Sequence, residues 1–225
     1  MKISEDTLSI LANFGSIHGS IKIEQGSVIK TRNSGKTIVG IANVDETFPK
    51  DFGIYDLNQF LNVVSVLDEP EFEFREDFVN LVSGNQKIQY VYTDPTLLHD
   101  VPSNLHFPEQ AVTFDLSESN RKRINKISGI LGLPHVTVEA NPFRIVVWDG
   151  TGAKKNKYDI YLDDGDVEIK NVKNYHPMTL LIDNLKILSG DYTVKITNEG
   201  ISTFSHKNID LTYYVACESQ NSIAR

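Results

Sequence analysis

Apolar positions along this chain follow two rhythms that take turns. From Ser4 to about Gly15, Leu8, Leu11 and Phe14 stand three apart with Ile10 beside them, the period of a helix with one buried face. Ser4 is a suitable N-cap, and Glu5 and Asp6 suit the positive end of the helix dipole. Strand-like runs follow at Ile21 to Glu24, Val28 to Thr31 and Thr37 to Val44, parted by turn residues at Gln25-Gly26 and Asn33-Ser34-Gly35. A second helical pattern, capped by Asp56 and running to about Leu67, buries Leu57, Phe60, Leu61, Val64 and Leu67. It presents the neutral side chains of Asn58, Gln59, Asn62 and Ser65. Three more strands, Glu71 to Arg75, Val79 to Val82 and Lys87 to Tyr92, close the first half.

The order then repeats. A strand at Val112 to Phe114 leads to a helix opened by Ser117 and reaching Leu131, with strands at Val136 to Glu139, Arg144 to Asp149 and Lys157 to Leu162. Met178 to Ile182 runs into a short helix expected from capping Asp183 to Leu188. Strands at Tyr192 to Thr197, Ile201 to Ser205 and Leu211 to Ala216 precede a tail, Glu218 to Arg225, expected to fray. Ser4-Glu5 answers Ser117-Glu118, Ile21 to Glu24 answers Val136 to Glu139, and Phe52 to Leu57 answers Leu180 to Leu185. Such internal copies indicate a symmetric architecture. The pattern predicts an α+β protein of antiparallel sheets in two similar domains, 1–92 and 111–225, each a duplicated helix-plus-strands unit. Pro95, Pro102 and Pro108 interrupt regular pairing in a connector, 93–110, which also carries Leu97, Leu98, Val101, Leu105 and Phe107.

Composition narrows the chemistry. The net charge of −8 over 225 residues opposes binding to nucleic acid by overall attraction, so any such contact has to be local. Cys217 is the single cysteine, which excludes an internal disulfide or a multi-cysteine zinc site and reads as a small strand residue. No apolar run approaches the roughly 20 residues of a membrane-spanning helix, and a soluble, cytosolic protein is expected. The six histidines have no helical i, i+4 pair. Ser34-Gly35-Lys36-Thr37 lacks the leading glycine and following helix of a phosphate loop, and reads as a hairpin. Asp163 to Asp166 has no glutamate at the twelfth calcium-loop position and reads as an acidic turn. Lys154, Lys155 and Lys157 read as a solubilising loop. No metal, cofactor or catalytic set is expected, and the chain is not expected to be an enzyme.

One helix departs from the acidic average. Arg121, Lys122, Arg123 and Lys126 fall within six residues on the third helix. At about 100° per residue, Ile124, Ile127 and Leu131 share one side, Lys122, Asn125 and Lys126 lie opposite, and Arg121 and Arg123 flank the seam. A basic stripe opposite a buried face can meet phosphates without reading bases.

An ordered set of residues resembles the sliding clamps, or DNA polymerase processivity factors, of T-even-type bacteriophages. The set comprises Met1-Lys2, Ser4, Asp6-Thr7, Leu11 and Asn13-Phe14, then Ile54 to Asn58 with Phe60-Leu61, Asp94-Pro95, Gly190, Tyr192 and Tyr214 to Ala216. It extends over the whole chain. The resemblance implies the DNA clamp fold and a ring of three subunits around duplex DNA, with helices lining the bore. Such a ring tethers the replicative polymerase in the cytoplasm of an infected bacterium. The implied partners are duplex DNA, a second and third copy, the polymerase, an ATP-driven clamp loader and transcription factors. On that reading Lys122 and Lys126 lead the DNA contact, with Arg121, Arg123, Asn125 and Lys186 behind them. Leu105, Phe107, Tyr214 and Val215 are the candidates for a partner-peptide pocket. The rival reading is a structural ring protein of the virion.

Overall fold

Three of the expected helix starts are built by side-chain caps. The computed structural model describes residues 1–102, 105–151, 156–162, 167–169 and 175–218. It divides into two units, Met1–Ser103 and Asn104–Arg225, a division that falls inside the expected connector.

In the first unit the Ser4 side chain accepts a hydrogen bond from the Thr7 N–H and opens α1 (Glu5–Ile17). Strands β1 (Ile21–Ile23), β2 (Gly26–Arg32), β3 (Ile38–Phe48) and β4 (Phe52–Ile54) follow, then α2 (Leu57–Ser65), then β5 (Glu71–Phe74), β6 (Phe78–Ser83) and β7 (Gln86–Val91). All neighbours pair antiparallel, in the orders β3-β2-β1-β4 and β5-β6-β7. The Asp56 side chain caps α2 through the Gln59 N–H. α1 buries Ile10, Leu11 and Phe14, and α2 buries Leu57, Phe60 and Val64, as expected, whereas Leu8 and Leu61, expected on the same faces, lie at their margins and are half-buried. The two helices approach closely at Gly15, where a Cβ would lie 2.8 Å from the Asn58 Oδ1. Ser34 to Thr37 is a hairpin turn, with the Asn33 Oδ1 accepting from the N–H groups of Thr37 and Ile38.

After β7 the first half of the connector runs along its own unit. Thr93 N–H donates to Gly53 O at 2.9 Å, a single bridge on the free side of β4. Asp94 caps a 3₁₀ turn at Pro95–Leu97. A Cβ on Gly53 would lie 2.6 Å from Thr93 O and 2.8 Å from the Leu98 Cδ1, so this position is closed by contact. His99 meets His18 edge to face at 5.2 Å. Asp100 accepts from the Lys22 Nζ at 2.7 Å through its carboxylate and from the Arg32 Nε at 2.8 Å through its carbonyl.

The second unit holds β8 (Gln110–Leu116), α3 (Glu118–Leu131), β9 (His135–Ala140), β10 (Phe143–Trp148), β11 (Tyr158–Ile160), β12 (Val167–Ile169), β13 (Met178–Leu181), β14 (Tyr192–Thr197), β15 (Ile201–His206) and β16 (Leu211–Ala216). Its antiparallel orders are β12-β8-β14-β15-β16 and β11-β10-β9-β13. The duplication is visible in the register. β4 lies against β1 with Ile21 opposite Ile54, and β13 lies against β9 with Val136 opposite Leu180.

Three expectations change. The short helix from Asp183 is a single 3₁₀ turn, Ile182–Leu185, with no side-chain cap. The turn begins one residue earlier than expected, so Leu181, which has no side-chain acceptor, holds the cap position, and Asp183 inside the turn pairs with Lys186 at 2.8 Å. Strand β12 is absent from the expected pattern. Glu218, which belongs to the tail expected to fray, bridges to Thr179, and its carboxylate lies 3.0 Å from the His135 Nε2. The expected acidic turn at 163–166, the lysines at 154 and 155, and residues 219–225 lie outside the described residues. Among the described residues no helix is long and apolar enough to cross a membrane.

Candidate nucleic-acid interface

Helix α3 is held at both ends. The Ser117 hydroxyl accepts from the Asn120 N–H at 3.3 Å, and Asp191 accepts from the Glu118 N–H at 2.7 Å. A capping side chain of this kind stabilises a helix by about 1 kcal/mol. The far end stops at Gly132, which takes the left-handed φ of 65°. With the ends fixed, the helix phase decides which side chains face out. Lys122, Arg123 and Lys126 are exposed, and Asn125 is half-buried. Lys122 forms an i, i+4 pair with Glu118 at 2.8 Å, yet its side chain stays 66% exposed. The Lys122 hydrogen bond holds the Glu118 carboxyl below its ordinary range. An exposed pair of this kind is weakened by solvent screening, so an incoming phosphate can replace the carboxylate. Lys186, just after the 3₁₀ turn, is 72% exposed.

The buried stripe of α3 is not the one expected. It consists of Arg121, Ile124 and Ser128, whereas Ile127 is half-buried, Leu131 is 40% exposed and Ile130 is 71% exposed. Arg121 therefore leaves the DNA-facing set. It is 5% exposed, its Nη1 donates to Ile187 O at 3.1 Å, and its guanidinium lies over the Tyr192 ring at 5.9 Å. The position falls on the i, i+3, i+7 row that faces the core, and the long stem reaches a carbonyl from there. The copy in the first unit held the signal. Counting from the caps, Arg121 corresponds to Leu8 and Ile124 to Leu11.

The remaining helices carry little cation outward. Glu5, Ser9 and Ala12 are exposed on α1, and Asn58, Gln59, Asn62 and Ser65 on α2. The cationic face is thus confined, among the described helices, to α3.

Of the partner-pocket candidates, the structure brings together Phe107 and Tyr214, whose rings meet edge to face at 6.4 Å and 69°. Both are half-buried, as is Leu105. Val215 is 0% exposed and is core, not pocket. In β16 burial alternates through Leu211, Tyr213 and Val215, so neighbours Tyr214 and Val215 face opposite sides. Cys217 is a structural thiol, pushed up to about 12 by burial and so protonated at neutral pH. Among the described residues no group of three or more His, Cys, Asp and Glu side chains is arranged to hold a metal.

The architecture is that of the DNA clamps. It superposes on proliferating cellular nuclear antigen from Entamoeba histolytica with a TM-score of 0.71 at 13% identity, covering 94% of each chain. The A. fulgidus antigen, solved with the C-terminal region of FEN-1 bound, gives 0.73 at 11% identity over 97% of each. Sequence comparison takes this further. The profile of the DNA polymerase processivity factor family matches residues 4–91. The sliding clamp of Vibrio phage KVP40 is 30% identical over 227 residues, covering 97% of this chain and 100% of the relative, and that of Enterobacteria phage T4 is 25% identical over 232. The chain belongs to the phage sliding-clamp family.

Proposed function

We propose that three copies of this chain close into a ring around duplex DNA and hold the replicative polymerase on its template by topology, with no reaction of their own. The observation that carries this reading is the exposed Lys122, Arg123 and Lys126 face of α3 in a chain of net charge −8. A sliding ring needs weak, sequence-blind attraction to phosphates, and lysine supplies a point charge without base readout. The acidic remainder keeps other surfaces away from DNA. The ring would work in the cytoplasm of an infected bacterium, opened by an ATP-driven loader, with transcription factors among its further partners. The FEN-1 segment on the A. fulgidus antigen is the precedent for partner peptides docking on such a fold.

The test is retention on circular DNA. Loaded protein should stay on a closed circle and leave when the circle is cut, and loss at equal rates from both would sink the reading. Reversing the charge of Lys122 and Lys126 together should sharply reduce clamp-dependent synthesis while leaving the assembly intact; unchanged processivity would remove these residues from the interface.

A further inference from the structure

We infer that Arg121 is a positioning residue, which sets α3 against the 186–188 segment so that Lys186 meets phosphates together with Lys122 and Lys126. The inference rests on the interface reading above. Its starting point is a comparison within the chain. Ser4 and Ser117 cap α1 and α3 in the same way, each accepting at 3.3 Å from the N–H three residues on. Four residues after each cap stand Leu8 and Arg121. Leu8 is half-buried and Arg121 is buried, so an apolar side chain serves at this position in the first unit, and packing alone does not require an arginine in the second.

The difference lies in what each helix packs against. α1 faces α2, a helix of two and a half turns whose interior backbone groups are satisfied by its own i→i−4 bonds. α3 faces the 3₁₀ turn Ile182–Leu185, after which the chain leaves helical geometry at Lys186. The residues beyond that turn need partners from elsewhere. Three side chains supply them. The Arg121 Nη1 donates to Ile187 O at 3.1 Å, the Tyr192 hydroxyl donates to Leu188 O at 2.7 Å, and the Tyr213 hydroxyl accepts from the Leu188 N–H at 3.3 Å. Tyr192 and Tyr213 are both 0% exposed, and the guanidinium lies over the Tyr192 ring. Lys186 therefore precedes a segment gripped from α3, β14 and β16. Of these three grips only Arg121 comes from the helix that bears the other cations, and a leucine there could donate nothing.

The experiment titrates the full chain with a short duplex over a series of salt concentrations and reads the slope of log affinity against log salt. Removing one phosphate-binding cation should lower that slope by about 0.9. Arg121→Leu and Lys186→Ala should each lower it by about 0.9, and the double variant by no more than either one. A slope unchanged by Arg121→Leu, or a double variant whose slope falls by the sum of the two, would overturn the inference. Near-ultraviolet dichroism from Trp148 reports whether the leucine variant folds, and Arg121→Met takes its place if it does not. If Lys122→Ala, Lys126→Ala and Lys186→Ala also leave the slope unchanged, the interface reading falls and the role of Arg121 with it. If those lysine variants act and only the Arg121 variants do not, the interface stands and the positioning role alone is refuted.

Discussion

Glu46 is 9% exposed on β3, with its carboxylate turned to the start of α1. It accepts from the Ser4 N–H at 2.5 Å and from the Thr7 hydroxyl at 2.6 Å. Burial by itself would raise this carboxyl, but the hydrogen bonds from Thr7 and Ser4 outweigh it and hold the group below its ordinary value. Because the folded value is depressed, the stabilisation is complete above the unfolded glutamate value of about 4.3. It is lost as pH falls through the lower folded value. Glu46→Ala should cost about 1–3 kcal/mol at neutral pH. Denaturant unfolding at several pH values should show the parent losing that margin on acidification and the variant lacking it; equal stabilities at neutral pH would refute the assignment. The signal for Glu46 is present in the sequence, since Ala42, Val44, Glu46 and Phe48 share one strand face. Arg121 is legible in the same way, by alignment with Leu8, but charge alone points it to solvent. No local pattern can show that Ile187 O needs a donor, because that depends on how the 3₁₀ turn ends.

Period and caps locate the elements well where a pattern is long. The faces of α1 and α2 and the alternation of β16 follow from spacing, and the Ser4, Asp56 and Ser117 caps stand where expected. Short elements are less legible. Asp183 has the composition of a cap, but only four residues follow the helical path there, and tertiary contacts hold them. The partner pocket shows the same limit. Tyr214 faces Phe107 across the end of the connector, while Val215 turns inward by the two-residue period. A partner peptide that buries apolar side chains here would rest on the Phe107–Tyr214 pair. Phe107→Ser should weaken binding of the polymerase's clamp-binding peptide about 30-fold, the loss of an aromatic anchor of roughly 2 kcal/mol. Calorimetric titration checks this, and affinity retained by a folded variant would exclude the site.

As a whole, the chain applies one scheme twice, a capped helix over antiparallel strands with β4 returning on β1 and β13 on β9. The copies differ in charge: α3 carries cations where α1 and α2 show acids, amides and serines. Light scattering should give a mass near three times the 25.3 kDa of one chain, and a persistent monomer at high concentration would contradict a closed ring.

The connector's path past Gly53 has a consequence for solubility. Strand β4 ends its sheet, and an open strand edge invites pairing with any other extended chain. Thr93 takes the one backbone bridge on that side and Leu98 lies against the same glycine, so the edge is already occupied. The segment that links the two units thereby also guards the first against aggregation.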